Sequence, residues 1–364
     1  MNKLENQAIK QQIDFEKYKN YEANEVIKLL DNANRELKYY ITTTTDVATK
    51  KRYNEIAKKL RDISISLKKN VDKQTDIDGV IDYELKRQKS LLKIIKNSIT
   101  NTQGREINFL YPAKEQIRSA ALFKPIDKNL TYQSYLEGIE SGFYNVWDSA
   151  VRAGYLAGIP TNDIVQNVLG KSSKIGQLQK PGTMRSVYNN IYSNTRTVLQ
   201  SFAEVTKEKV YKENEHFFGD GETDYKYERV ATLDSKTCLV CANLDGKLYK
   251  TLEEAQHVIL HRGDRCVLLP YFNIVGDMRA SKNGYVERVT FSDWLQDQDE
   301  KTKIDVLGRT RYELYRRGET IKQFIDNGSV LTLEQLNKRI DIEEKLNQNI
   351  HKPDKTTITD HFFI

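Results

Sequence analysis

The sequence predicts a mainly α protein: long amphipathic helices, a small α+β insert resembling a zinc knuckle, and a helical C-terminal tail. Three observations carry that expectation. Residues 1–100 contain no Pro and a single Gly, Gly79, so little there breaks a helix. Apolar residues recur at steps of three and four in several separate stretches. All three cysteines fall between residues 238 and 266, after Gly219 and Gly221 interrupt the helical pattern.

Val26, Leu30, Ala33, Leu37 and Tyr40 share one helix face, and Tyr53, Ile56, Leu60, Ile63 and Leu67 share another. Between them residues 41–46, β-branched and polar, are expected to interrupt the helix. A third apolar segment runs through Leu91, Leu92, Ile94, Ile95 and Ile99. These stretches fit two or three antiparallel helices, or a helical arm packed on a partner, and the sequence leaves both open. Gly104, Pro112 and Pro125 make residues 101–130 read as a linker closing an N-terminal region, 1–130.

The next region, 131–218, opens on a helix with Tyr135, Ile139, Phe143, Val146 and Ala150 on one face. Gly158-Ile159-Pro160-Thr161 ends it and starts another, and Gly170 is placed to stop the short helix over residues 164–169. Gly176 and Pro181-Gly182 mark a turn. Tyr188, Ile191, Thr195, Val198, Phe202 and Val205 then predict a strongly amphipathic helix whose aromatics belong to the core. In the region 219–275, residues 225–230 alternate in the manner of a strand. The last region, 276–364, passes Gly276 and Gly284 in a turn-rich stretch. It then returns to helix with Trp294, Leu295, Leu307, Leu314, Ile321, Phe324, Leu331, Leu333 and Leu336 as anchors, Thr332 resembling a helix start.

The chain of 364 residues carries 57 Lys and Arg against 51 Asp and Glu. Residues 1–100 hold 21 against 15, so the whole surplus of +6 sits in the first quarter. A surplus this dilute is a weak sign of nucleic-acid binding, and a solvated helical surface accounts for it more simply. No run reaches the roughly 18 apolar residues of a membrane span, and the polar N-terminus lacks the apolar stretch of a secretion signal. Three cysteines make no disulfide framework, so a reducing cytoplasm is expected.

One constellation carries chemistry. Cys238-Leu239-Val240-Cys241 places two thiols two residues apart, Asn243-Leu244-Asp245-Gly246 turns the chain back, and His261 with Cys266 completes a Cys3His set. That donor set suits a closed, structural Zn2+ site, which lets a segment poor in large apolar residues fold. The plainer alternative is three ordinary thiols and a loop histidine. A redox pair is disfavoured because a turn follows it instead of a helix inside a βαβ pattern. A catalytic zinc would keep an open position, with Asp264 or Glu254 as candidate bases, and His257 ranks below His261 as a ligand. Phosphate-binding, dinucleotide, zincin and nucleophile-elbow motifs are absent from the sequence. Glu253-Glu254 and Glu343-Glu344 read as solvated helix faces, and Arg316-Arg317 beside Gly318 as a helix C-terminus or a phosphate contact.

At these residues the sequence resembles the phage Mu F-like minor head proteins, the phage head morphogenesis family. The resembling segments are Ala231-Thr232-Leu233-Asp234-Ser235-Lys236-Thr237-Cys238, then Cys241, then Leu244-Asp245-Gly246-Lys247. His261-Arg262-Gly263-Asp264-Arg265-Cys266 and Pro270 follow. Asn194-Thr195-Arg196-Thr197, Phe291-Ser292-Asp293-Trp294-Leu295, Leu307-Gly308 and residues 331–336 extend the likeness over about residues 131–340. The family carries H-x-x-C-R-C where this chain has Asp264 at the first cysteine position, which makes Asp264 the alternative to Cys266 as fourth ligand. Lys236 stands where Arg is common.

The resemblance implies a structural motif built on Asp234, Thr237, Asp245 and Gly246, and a minor head component that is not an enzyme. It implies portal protein and other head proteins as partners, with viral DNA as a further candidate and neither membrane nor small-molecule substrate. The expected place is the virion or procapsid, and the host cytoplasm during assembly. The rival classes are a zinc-dependent nuclease or effector and a zinc-containing nucleic-acid-binding protein. Against the first, about 24 residues follow the resembling region, too few for a catalytic domain. Against the second, residues 226–275 are nearly neutral, seven basic to six acidic.

Overall fold

The structure, a computed structural model, describes residues 3–43, 50–104, 106–126, 130–172, 178–219, 221–255, 266–272, 278–281, 284–287, 289–326 and 328–339. It is 73% helix and 6% strand, the mainly α class expected. The chain forms two units: Met1–Val230 with Gly246–Arg288, and Ala231–Asp245 with Val289–Ile364. No described helix is long and apolar enough to cross a membrane.

In the larger unit α1 (Lys3–Thr42) stops within the β-branched run, as expected, and α2 (Lys50–Gln74) follows. α3 (Ile77–Gln103) starts on Asp76, whose carboxylate accepts the Gly79 amide at 2.8 Å. The linker expectation for 101–130 is corrected by α4 (Lys114–Phe123), which lies between the two prolines and buries Ile117 and Ala121. Pro112 and Pro125 flank this helix without entering it, and prolines outside the ends of a helix are compatible with it. α5 (Tyr132–Ala157) opens on a capping box of Thr131 and Ser134 and ends at Gly158, whose φ of 63° any other residue type would adopt at a cost. α6 (Thr161–Leu169) leads into a hairpin, β1 (Gly170–Ser172) and β2 (Leu178–Pro181), strands the sequence reading does not anticipate; Gly176, expected in a turn, lies outside the described residues. α7 (Met184–Asn214) is the long amphipathic helix.

Most of the predicted stripe residues are buried: Val26, Leu30, Ala33 and Leu37 on α1, Ile56, Leu60, Ile63 and Leu67 on α2, and Ile191, Thr195, Val198, Phe202 and Val205 on α7, whereas Tyr40, Tyr53 and Tyr188 are half-buried. On α5 the ridge is Ile139, Phe143, Trp147 and Val151 at steps of four; the expected Val146 and Ala150 are only half-buried. The buried apolar residues among these form one cluster joining the helices on both sides of residue 130. A second cluster joins Ile9 of α1, Leu91, Leu92 and Ile95 of α3, and Val210 and Tyr211 of α7 to the sheet described next.

The same three helices also contribute a charged layer to the interior. Lys19 is 1% exposed, 2.6 Å from Glu16 and 2.7 Å from Gln200. Arg196 meets Glu16 at 2.8 Å, Arg87 meets Glu84 at 2.7 Å, and Lys207 pairs with Glu204. Burial raises the Glu84 carboxyl pKa against the opposing pull of Arg87 and Lys207. Buried pairs of this kind contribute little net stability, because desolvation offsets their attraction.

β3 (Tyr227–Val230) matches the expected strand. It is the middle of a three-stranded antiparallel sheet with β4 (Leu248–Tyr249) and β5 (Val267–Pro270), Val230 opposite Val267 and Tyr227 opposite both Pro270 and Tyr249. Tyr211 of α7 donates its hydroxyl to the Leu268 carbonyl at 3.0 Å. The stretch past Pro270 holds a second hairpin, β6 (Met278–Ser281) and β7 (Gly284–Glu287), where only turns are expected from the sequence. Its strands are too short for a period-two signal to stand out.

The smaller unit contains α8 (Leu239–Asn243) and then α10 (Phe291–Gln296), α11 (Glu300–Leu307) and α12 (Arg309–Arg316); α9 (Leu252–Ala255) belongs to the larger unit. A 3-10 turn over Ile321–Phe324 leads into the short hairpin of β8 (Ile325–Asp326) and β9 (Ser329–Val330). Of the expected anchors, Trp294, Leu295, Leu307, Ile321, Phe324 and Leu336 are buried, Leu314 and Leu331 are half-buried and Leu333 is exposed; Phe291 and Tyr312 are buried in addition. Thr332 starts a helix as expected, accepting the Gln335 amide at 3.2 Å.

Candidate functional site

The cysteine pair belongs to the loop that leaves β3 at Val230 and returns at Gly246. Asp234 accepts the Lys236 amide at 2.9 Å, closing an Asx turn, and Thr237 donates its hydroxyl to the Thr232 carbonyl at 2.6 Å. That fold presents Cys238 in extended conformation as the N-cap of α8, its Sγ accepting the Cys241 amide at 3.3 Å. The pair itself sits on one turn of helix where a tight turn is expected, with the thiol as capping acceptor, and the turn expected over Asn243-Leu244-Asp245-Gly246 follows directly. Leu239, Cys241 and Ala242 are buried, and α8 packs on α10 and the 3-10 turn.

Asp245 closes the loop. One carboxylate oxygen accepts the Ala231 amide at 2.6 Å and the other the Phe291 amide at 2.7 Å, tying both ends of the loop to the start of α10. Gly246, with φ of 74°, reverses the chain and donates to the Arg229 carbonyl at 2.8 Å, which sets up β4. The four motif residues Asp234, Thr237, Asp245 and Gly246 are thus held by backbone hydrogen bonds.

Cys266 lies in the larger unit, buried, one residue before β5. Burial raises the pKa of the Tyr249 hydroxyl, with Arg229 opposing and Cys266 adding to the rise. His261, the alternative ligand Asp264 and the lower-ranked His257 lie outside the described residues. The three cysteines are not joined by disulfides, and among the described residues no group of three or more Cys, His, Asp or Glu is arranged around a metal position. Glu254 accepts the Lys250 amide at 3.0 Å. Arg316 ends α12 and pairs with Glu313 at 3.2 Å, as a cation at a helix C-terminus does.

A cleft of about 570 Å³ in the larger unit joins residues that the sequence does not associate. Asp31, Asn34, Arg35 and Lys38 of α1, Leu169, and Met184, Arg185 and Tyr188 of α7 line it. Behind it runs a hydrogen-bonded chain: Trp147 donates to Asn34 at 2.8 Å, Asn34 donates to the Tyr188 oxygen at 2.8 Å, and Tyr188 donates to Asp31. Burial and the neighbouring Asp31 raise the Tyr188 hydroxyl pKa. The two sides of the cleft are some 150 positions apart in the chain, and the spacing of Asp31, Arg35 and Lys38 on one face of α1 is its only local signal. No family model, curated protein or solved structure matches this chain.

Proposed function

We propose that this chain is a minor head-morphogenesis protein of a tailed phage, a structural component that docks on the portal and acts in head assembly or in DNA packaging and delivery. One observation supports the reading above others: the segment carrying the resemblance, residues 231–246, is a loop whose carboxylates are committed to backbone amides. Asp234 and Asp245 serve as struts, a use that suits a scaffold better than acid or base catalysis. The partners are portal and other head proteins, and the place of action is the procapsid or virion.

The same reading assigns one structural Zn2+ ion to Cys238, Cys241, His261 and Cys266, with Asp264 as the substitute for Cys266. Three thiolates and an imidazole are donors that zinc prefers. Purified protein prepared without chelator is expected to carry about one zinc per chain, and Cys238→Ser to lower that content. Zinc-free protein would remove the ion from the proposal.

The portal assignment is tested by expressing the tagged chain in an infected host and identifying what co-purifies. Portal and capsid subunits in the eluate are expected. An eluate without either would overturn the head-assembly reading.

A further inference from the structure

The charge surplus has an address. α2 holds nine Lys and Arg against three Asp and Glu, a balance of +6, equal to the net charge of the whole chain. α1 is balanced, with seven of each. Three of the nine cations are engaged within the unit: Arg52 with Glu55, Lys59 with Glu36 and Lys68 with Glu140. Lys50, Lys51, Lys58, Arg61, Lys69 and Lys73 are exposed, and none is ion-paired to a described carboxylate. Of the acids, Glu55 holds Arg52 and Asp72 accepts the Tyr132 hydroxyl at 2.7 Å, which leaves Asp62 to dilute the face.

At 100° per residue these cations lie opposite the buried stripe of Ile56, Leu60, Ile63, Leu67 and Val71. At 1.5 Å per residue they extend over about 33 Å from Lys51 to Lys73, close to one turn of a DNA duplex, roughly 34 Å. Such a row meets a polyanion with regularly spaced charges. A membrane is a poorer match, because an interfacial helix inserts its apolar face; the apolar face of α2 is occupied by the bundle, and Ile65 is its one exposed large aliphatic residue.

We propose that the outer face of α2 is a sequence-independent contact for the phosphate backbone of duplex nucleic acid. The inference stands on the charge and exposure of α2 and does not depend on the head-assembly reading. Lysines dominate the row, and lysine grips phosphate as a point charge. Affinity is therefore expected to be set by ionic strength and not by base sequence.

The test is fluorescence anisotropy of the full chain with labelled duplexes of about 20 base pairs, unrelated in sequence, over a range of salt near 50 to 200 mM. Wild type is expected to bind all duplexes alike, with affinity falling steeply as salt rises. The triple variant Lys51→Gln, Lys58→Gln, Lys69→Gln is expected to lose at least about ten-fold in affinity and to flatten the log–log salt slope by roughly 2.7. Arginine at the same three positions is expected to retain binding, and circular dichroism of both variants checks that the helices persist. No binding by wild type at the lowest salt overturns the proposal, as does unchanged binding by the glutamine variant. Binding to phosphatidylserine vesicles but not to duplex overturns it in favour of a membrane. Portal co-purification by the glutamine variant is scored separately, so failure of either reading leaves the other standing.

Discussion

The interior of the helical unit and the cysteine loop of the smaller unit are stabilised by different means. The first buries aromatic and aliphatic ridges, with Trp147, Phe143 and Phe202 fully enclosed, each contributing about 2 to 3 kcal/mol through removal from water. The loop has few such residues. Its shape rests on directed bonds from Asp234, Thr237 and Asp245 to backbone atoms, each worth about 1 kcal/mol net. Apolar burial tolerates substitution in proportion to volume, whereas a loop held by a few carboxylates depends on particular atoms.

Three measurements sharpen or break that contrast. The largest effect is expected at Phe143, where truncation to Ala leaves a cavity in the main cluster and costs about 3 to 5 kcal/mol in denaturant unfolding; a cost below about 1 kcal/mol would mean the ridge does not hold the bundle. Next comes Asp245→Ala. It strips acceptors from two amides belonging to buried residues and is expected to cost about 2 kcal/mol. Amide exchange at Ala231 and Phe291 should accelerate while exchange in α5 does not, and equal acceleration in α5 would erase the distinction.

The smallest effect concerns charge. Burial tends to raise the Glu208 carboxyl pKa, but Lys124 and Lys212 together outweigh it and the pKa is lowered. Its contribution is therefore present above the ordinary carboxylate range and is lost as pH falls through the depressed value. Glu208→Gln is expected to cost about 0.5 kcal/mol near neutral pH, the difference from wild type closing in acid. A difference that widens on acidification would reverse the assigned sign.

Periodicity makes the long helices of the larger unit legible, because five apolar residues at steps of three and four rarely align except on a helix with one buried face. It fails where several signals compete. The prolines at 112 and 125 mask α4, although they lie outside the helix. On α5 the steps through Val146 and Ala150 compete with the step-of-four ridge through Trp147, and only the ridge is buried. The charged layer is invisible in the sequence, since Lys19, Glu84, Arg87 and Lys207 look like solvated positions until α1, α3 and α7 are placed together. At the candidate site the turn at Asp245-Gly246 and the cysteine pair are legible locally. That Asp245 reaches to Phe291 depends on a contact across 46 positions, which no local pattern encodes.

Ala231–Asp245 leaves the larger unit and re-enters it at Gly246, and the chain crosses again between Arg288 and Val289. The two units therefore share three peptide connections, so no single proteolytic cut severs every link between them. A nick at the last crossing would leave the C-terminal fragment clasped to residues 231–245 through Asp245 and the packing of α8. Split at that point, the protein becomes a complementing pair whose reassembly depends on the loop's packing on α10.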